Sequence, residues 1–174
     1  LAPSVYGEKR QLFDASDEGI IATLNTPEFF KAIVDVINKY SRSSTTGKKH
    51  RAIIVFFDSI TRLNEFKNSH AHSQIISCAD VACLREDLDS NERDQIIKKA
   101  STIGQVTLAT KAFGRGTDFI SRDPTLNDRG GTHILQTFVS TMESEEIQIK
   151  GRSARQGQKG SYGMVLLKTD DHVK

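Results

Sequence analysis

The chain has 174 residues, of which 37% are hydrophobic and 26% are charged, as expected for a folded globular protein. Lysine and arginine number 24 against 22 acidic residues, and the net charge of +2 disfavours a dedicated nucleic-acid binder. No stretch approaches the roughly 18 apolar residues of a membrane span. With only two cysteines, Cys78 and Cys83, the chain cannot form a disulfide scaffold or hold a structural zinc by cysteine alone. We expect both side chains to be buried in the protein and the protein to be in a reducing compartment.

The first predicted helix follows a short apolar run at 20–24. Thr26 is its expected N-cap, and Pro27 then occupies the first helical position, where a missing N–H costs nothing. Apolar residues recur on one face from Phe29 to Tyr40. A polar loop separates this helix from 52–57, a continuous apolar run that predicts a strand buried on both faces, at the centre of a parallel sheet.

The rest of the chain alternates between helices and strands. Asp89, followed by Glu92, predicts the start of one helix through a capping box. In chain order we expect a helix over 60–67, a strand over 74–77, a helix over 89–100, a strand over 105–110, a loop over 114–129, a strand over 132–138, a helix over 141–150 and a strand over 162–167. This alternation predicts an α/β domain with a mostly parallel sheet.

Three loops are candidate ligand-binding segments. In parallel α/β sheets, ligands bind beyond the carboxyl ends of the strands. The loops that we assign to this edge are Asp58-Ser59, 111–118 and 151–160. These loops are therefore the first places to search for chemistry.

Several motifs resemble known sites, but each lacks a residue or a partner motif that the site requires. The segment 43–49 contains Gly-Lys, but Lys49 stands where a phosphate loop needs serine or threonine. The run 53–58 ends in aspartate like a Walker B strand, and without a phosphate loop a central strand with a polar cap is favoured. His70 and His72 have no third ligand at metal spacing, which favours solvated histidines.

The segment that follows the strand at 105–110 contains Gly114-Arg-Gly-Thr-Asp118. Glycines let the backbone turn sharply and bring its N–H groups close to a ligand. Asp118 can accept a hydrogen bond from a ribose hydroxyl or from an arginine. The alternative is an ordinary tight turn.

A second segment contains Arg152 and Arg155, which are three residues apart and point the same way on a helical turn. Two adjacent guanidiniums repel each other and gain most when an anion lies between them. Phosphate is the natural anion, because the planar guanidinium matches its oxygens. The alternative is a basic, solvated turn.

Three stretches together resemble a known family. The stretch 109–118 ends in Gly-Arg-Gly-Thr-Asp, 130–134 reads Gly-Gly-Thr-His-Ile, and 148–157 reads Gln-Ile-Lys-Gly-Arg-Ser-Ala-Arg-Gln-Gly. This combination is similar to the second nucleotide-binding domain of SecA, the preprotein translocase motor ATPase, with its helicase motifs V and VI. The resemblance implies a RecA-like, three-layer α/β domain, the P-loop NTPase fold without a P-loop.

The family uses two RecA-like domains that clamp ATP between them. The resemblance therefore implies a missing first domain that holds the phosphate loop and the Mg²⁺, so that ATP and Mg²⁺ bind only in the full-length protein. Residues 26–174 would be the second domain, and 1–25 a linker or edge segment leading in from the first. The start at Leu1, without a methionine, also suggests a piece of a longer protein.

The resemblance also assigns roles in motif VI. By position, Arg155 resembles the arginine finger, which stabilises charge on the γ-phosphoryl oxygens, and Arg152 its partner on the γ-phosphate. Gln148 would link the cleft to the attacking water or to the opposing acidic motif. Gln148 also distinguishes this chain from common nucleic-acid helicases, which usually have His-Arg there.

In motif V, Gly114 and Gly116 would let the loop approach the nucleotide. Arg115 would brace the loop, and Asp118 would hold a ribose hydroxyl or orient the finger. The chain departs from the family pattern nearby, where Lys-Ala-Phe over 111–113 replaces Asn-Met-Ala. Ala154 also replaces the glycine between the two arginines.

The resulting hypothesis is the second motor domain of a SecA-like superfamily 2 ATPase, coupled to protein translocation. Its expected partners are the first domain and a translocation channel or polypeptide, with nucleic acid less favoured. The expected location is the cytoplasm, peripheral at a membrane. Two alternatives stay open: a non-catalytic interaction or regulatory domain, and the C-terminal half of a nucleic-acid helicase.

Overall fold

The structure is a computed structural model, which describes residues 20–43, 45–76, 80–114, 117, 119, 123–139 and 159–168. Within these residues the strands are β1 (Ile20–Thr23), β2 (Ile53–Phe57), β3 (Val81–Leu84), β4 (Val106–Thr110), β5 (Thr132–Gln136) and β6 (Gly160–Leu167). The helices are α1 (Thr26–Ser41), α2 (Ile60–Lys67), α3 (Ser90–Ala100) and α4 (Pro124–Asp128), and 3₁₀ turns cover Ala71–Gln74 and Lys111–Gly114.

The strands form one six-stranded sheet in the order β1-β6-β5-β2-β4-β3, and all their pairings are parallel. The predicted α/β class with a parallel central sheet is therefore confirmed. All amino ends of the strands lie at one edge of the sheet and all carboxyl ends at the other. We call these the amino edge and the carboxyl edge.

Strand β2 lies inside the sheet, between β5 and β4, and all five of its residues are buried. Because side chains alternate along a strand, its residues face two different core layers. Val55 packs in a layer with α1 and α2, whereas Phe56 packs in a layer that includes Leu84 and part of α3. Helices thus cover both faces of the sheet, which explains why the run at 52–57 is apolar throughout.

Two helix starts follow from side-chain capping. Asn25, rather than the expected Thr26, is the N-cap of α1, and its side chain accepts a hydrogen bond from the Glu28 N–H at 2.9 Å. Glu28 in turn accepts from the Leu24 N–H at 3.1 Å, one residue before the N-cap, in an arrangement related to the capping box. Asp89 caps α3 as predicted, accepting from the Glu92 N–H at 2.8 Å.

One prediction about the middle of the chain was wrong. Residues 71–74 form a 3₁₀ turn, and the expected strand at 74–77 is replaced by β3 at the sheet edge. The Asn38 side chain explains this, because it donates to the Gln74 carbonyl at 3.1 Å and accepts from the Ile76 N–H at 3.0 Å. This segment is thereby tied to α1 and not to the sheet.

The expected loop at 114–129 contains a short helix, α4. Asp123 caps it by accepting a hydrogen bond from the Thr125 N–H at 2.9 Å, and Pro124 occupies its first turn. The predicted strands at 105–110, 132–138 and 162–167 correspond to β4, β5 and β6. The predicted helix at 141–150 lies outside the described residues.

Candidate functional site

Only one of the seven proposed site residues lies in the described part of the chain. Gly114 is buried at the end of the 3₁₀ turn that directly follows β4, and therefore lies at the carboxyl edge. The other proposed residues are outside the described residues: Arg115, Gly116, Asp118, Gln148, Arg152 and Arg155. Their roles stay predictions.

An ion pair joins the loops that follow β2 and β4. The Lys111 Nζ lies 3.1 Å from the Asp58 Oδ1, and both side chains are about half exposed. The same ammonium lies 5.9 Å from the centre of the Phe138 ring, which follows β5. Ser59 then starts α2 by accepting a hydrogen bond from the Arg62 N–H at 3.2 Å. Two of the three loops assigned to the carboxyl edge are therefore in direct contact there.

Further side-chain hydrogen bonds connect neighbouring strand ends at this edge. The Thr110 hydroxyl, at the end of β4, donates to the Glu86 carboxylate, which follows β3. The Thr137 hydroxyl, which follows β5, donates to the Phe56 carbonyl at 2.8 Å. The buried Gln136 amide donates to the Phe138 carbonyl at 2.7 Å. Sequence reasoning missed these contacts, because they depend on which strands are neighbours.

The glycine segment is anchored on both sides. On one side Phe113 and Gly114 are buried after β4. On the other side Phe119 is only 2% exposed, and its ring meets the Phe56 ring edge-on at 6.5 Å. The Ser101 hydroxyl also donates to the Phe119 carbonyl, at 3.4 Å. These contacts fix the residues on either side of the segment against the core layer that contains Phe56.

The Gly130-Gly131 pair lies at the amino edge, opposite the candidate site. The Arg51 Nε donates to the Gly131 carbonyl and its Nη2 to the Gly130 carbonyl, both at 2.9 Å. Gly131 has a φ of +77°, and a Cβ there would lie 1.8 Å from the Lys159 carbonyl oxygen. Glycine is therefore required for packing at this position.

His133 belongs to the same buried cluster. Its Nδ1 lies 2.7 Å from the Ser161 hydroxyl, which also accepts a 2.5 Å hydrogen bond from Arg51. The imidazole stacks on the Tyr40 ring at 3.7 Å. Burial, aided by the positive charges of Arg51 and Lys39, holds the pKa of His133 well below its usual value. The Gly-Gly-Thr-His motif therefore supports the fold with a neutral histidine.

The described end of the loop 151–160 does not lie at the carboxyl edge, contrary to expectation. The Lys159 N–H donates to the Asn127 side chain at 2.6 Å, and Gly160 begins β6 at the amino edge. The reason is topological, since the chain must return to the amino edge before it enters another parallel strand. Residues 151–158 lie outside the described residues.

The remaining sequence candidates also have defined environments. Within the described ranges, no group of three or more histidine, cysteine or acidic side chains could hold a metal ion. His72 is half-buried with a pKa lowered by burial, and His70 is exposed. Cys83 is half-buried, and burial raises the pKa of its thiol. Among the described helices, none is long and apolar enough to cross a membrane.

Comparison with known proteins establishes the family. The helicase conserved C-terminal domain family matches residues 30–157, so the chain belongs to that family. Protein translocase subunit SecA 2 of Nitrosospira multiformis is 37% identical over 76 residues, which are 44% of this chain and 11% of that protein. Protein translocase subunit SecA of Lawsonia intracellularis is 40% identical over 80 residues, 46% of this chain and 10% of that protein. The similarity to SecA is thus confirmed, and the matched stretch spans about a tenth of these relatives.

Solved structures agree on the fold. Domain 2 of the DEAD-box helicase Mss116p, bound to an RNA duplex, has a TM-score of 0.61 at 19% identity and covers 86% of this chain and 53% of that one. The E. coli DEAD-box protein SrmB has a TM-score of 0.60 at 20% identity and covers 88% of this chain and 79% of that one. At these identities the likeness shows the RecA-like fold and not the substrate.

Proposed function

We propose that this chain is the second motor domain of a SecA-like ATPase. In this proposal it contributes the Gly114–Asp118 segment and Arg155 to an ATP site shared with a first nucleotide-binding domain. The observation that supports it most directly is the position of Gly114, buried just beyond the carboxyl end of β4. Strand β4 is a neighbour of the central β2, and ligands of parallel sheets bind beyond such ends.

The residues of this edge suit an anionic nucleotide. The glycines of the segment allow backbone N–H groups to approach phosphates. The two residues that flank the segment, Phe113 and Phe119, are buried aromatic side chains. Bound ATP supplies the γ-phosphoryl group that is transferred to water.

The two arginines of motif VI would provide the charge that acts in the transition state. Negative charge spreads over the γ-phosphoryl oxygens during phosphoryl transfer, and a positioned guanidinium stabilises it. We assign Arg155 to this role, Arg152 to the γ-phosphate in the bound state and Gln148 to the attacking water. The Mg²⁺ and the phosphate loop are assigned to the first domain.

Coupling to protein translocation is supported by the relatives, which are named as protein translocase subunits. The expected partners are then a translocation channel and an unfolded polypeptide, and the expected location is the cytoplasmic side of a membrane. A nucleic-acid helicase is the competing function. Its support is the fold, which a DNA-bound helicase, MrfA, shares with a TM-score of 0.59 at 15% identity.

The test uses the full-length protein that contains this chain. Its Mg²⁺-dependent ATPase rate is measured alone, with an unfolded polypeptide and with single-stranded RNA. We expect stimulation by the polypeptide and none by RNA, while the 174-residue chain alone hydrolyses no ATP. Stimulation by RNA alone would favour the helicase function. No ATPase activity under any condition would favour the non-catalytic alternative, and turnover by the isolated chain would contradict the shared site.

A further inference from the structure

The amino edge of the sheet is rich in exposed positive charge. Five exposed cations precede four neighbouring strands: Lys159 before β6, Arg129 before β5, Lys48 and Lys49 before β2, and Lys99 before β4. The acidic residues among them are Asp80 and Asp128. The small net charge of the whole chain conceals this asymmetry. We call the five cations the basic edge.

Contacts make the basic edge one continuous surface. The Arg129 guanidinium donates to the Lys49 carbonyl at 2.8 Å, which joins the starts of β5 and β2. The Lys49 side chain lies against Gly104, and together with Lys99 it lines a recess of about 390 Å³ at the start of β4. At the other end, the Lys159 backbone is hydrogen-bonded to α4, directly before Arg129.

These cations are not neutralised by neighbours. In the ranges that the structure describes, none of the five forms an ion pair, whereas Lys31 and Lys111 do, with Asp35 and Asp58 respectively. The positive charges affect a nearby histidine, since the pKa of His50 is lowered by burial and then by Arg51 and Arg129. Like charges held together repel one another, and an anionic partner relieves that repulsion.

We propose that the basic edge is a docking surface for an acidic polypeptide segment of a partner protein. Nucleic acid fits this surface less well for two reasons. Every phenylalanine and tyrosine among the described residues is buried or half-buried, so that bases have no aromatic platform on which to stack. A duplex also presents about one charge per 1.7 Å, and such a continuous row would meet the carboxylates of Asp80 and Asp128.

A polypeptide avoids both difficulties. Its carboxylates are spaced by whole residues, and it can turn polar or neutral side chains toward Asp80 and Asp128. The recess at the start of β4 is lined by Lys49 and Lys99 and also by Asp80, so a peptide would direct an acidic side chain toward the lysines and a polar one toward Asp80. Because the basic edge is opposite the carboxyl edge, the partner could bind while a nucleotide occupies the proposed ATP site. The inference therefore does not depend on the ATPase proposal.

The test measures binding of a fluorescein-labelled poly-glutamate peptide to the chain by anisotropy at low salt. A DNA duplex of equal total charge is the competitor. The double variant Lys49→Glu/Arg129→Glu should weaken peptide binding by about tenfold, as expected for reversal of two charge contacts. The control Lys31→Glu/Lys67→Glu changes the net charge equally at exposed positions of α1 and α2, and should leave the affinity nearly unchanged.

Thermal melts of both variants establish that each is folded. Absence of peptide binding to the wild-type chain would overturn the proposal. An equal loss of affinity in both variants would also overturn it, because only net charge would then matter. Tighter binding of the duplex than of the peptide would assign the basic edge to nucleic acid instead.

Discussion

Lys111 and Asp58 form an ion pair of 3.1 Å between the loops that follow β4 and β2. The first loop leads into Gly114 and the second begins α2. The pair ties the start of the glycine segment to the centre of the sheet.

Because both side chains are about half exposed, we expect a small contribution of this pair to stability. A double-mutant cycle with Lys111→Met and Asp58→Asn should give a coupling energy below about 1 kcal/mol, decreasing with added salt. The measurement is urea unfolding of the four proteins. The exposed Lys31–Asp35 pair on α1 is the matched comparison. A coupling that is large and insensitive to salt would mean that the Lys111 pair is shielded from solvent.

Gly131→Ala should destabilise the chain by about 2–4 kcal/mol. A left-handed φ of +77° strains any side chain, and the added Cβ would lie 1.8 Å from the Lys159 carbonyl oxygen. Gly47→Ala is the control, because Gly47 also has a positive φ, of +68°, but open space around it. Its expected cost is about 1 kcal/mol, from backbone strain alone. If urea unfolding gave the same loss of unfolding free energy for both variants, the contact with Lys159 would have no effect.

Stability should fall as the pH drops below about 6.5, the ordinary pKa of histidine. His133 has a depressed pKa in the folded chain, so that the unfolded chain binds its proton first and protonation favours unfolding. Its contribution is therefore fully present above the unfolded pKa and is lost as the pH decreases through the range below it.

The loss of stability is measured as the urea concentration at the midpoint of unfolding, determined between pH 7.5 and 5. His133→Gln removes the titrating group and should flatten the pH dependence, although its absolute stability will be lower. His70→Gln is the control, since His70 is exposed. A profile for His133→Gln as steep as that of the wild type would assign the acid sensitivity to other groups.

Arg155→Ala in the full-length protein should reduce ATP turnover by roughly 10³–10⁵, with nucleotide affinity nearly unchanged. The effect falls on the transition state because the finger acts where charge develops. Arg155→Lys should restore little, since a point charge does not reproduce the planar fork. Steady-state ATPase rates measure the turnover of both variants, and thermal melts establish that each is folded. Near-normal turnover in a folded Arg155→Ala protein would exclude this arginine as the finger.

Much of the fold could be predicted because its inner strands are buried on both faces. The apolar runs of β2 and β4 are visible in the sequence for that reason. The edge strand β3 was missed, since three of its four residues are only half-buried and its local pattern is weak. The N-cap was displaced by one residue because asparagine and threonine both satisfy the same capping geometry.

Less of the candidate site could be predicted from the sequence. Motif spacing pointed to Gly114, whose position at the carboxyl edge agrees with the expected loop assignment. The contacts of Thr110 with Glu86 and of Lys111 with Asp58 join residues far apart in sequence. They follow from the strand order, which local patterns do not encode. The buried role of His133 likewise depends on Tyr40 and Ser161, from two other elements.

Strand β1 pairs with β6 along its whole length, and the Thr23 hydroxyl donates to the Leu166 carbonyl, 143 positions away. During synthesis on a ribosome, β1 therefore emerges early and finds its neighbour only when β6 has been made. Closing so long a loop is entropically costly, and contacts of this separation slow folding. An emerging chain would expose the unpaired β1 for most of its translation, and one edge of β5 from the time that β5 emerges until β6 follows. Chaperone binding and aggregation during synthesis are expected to concentrate on those two edges.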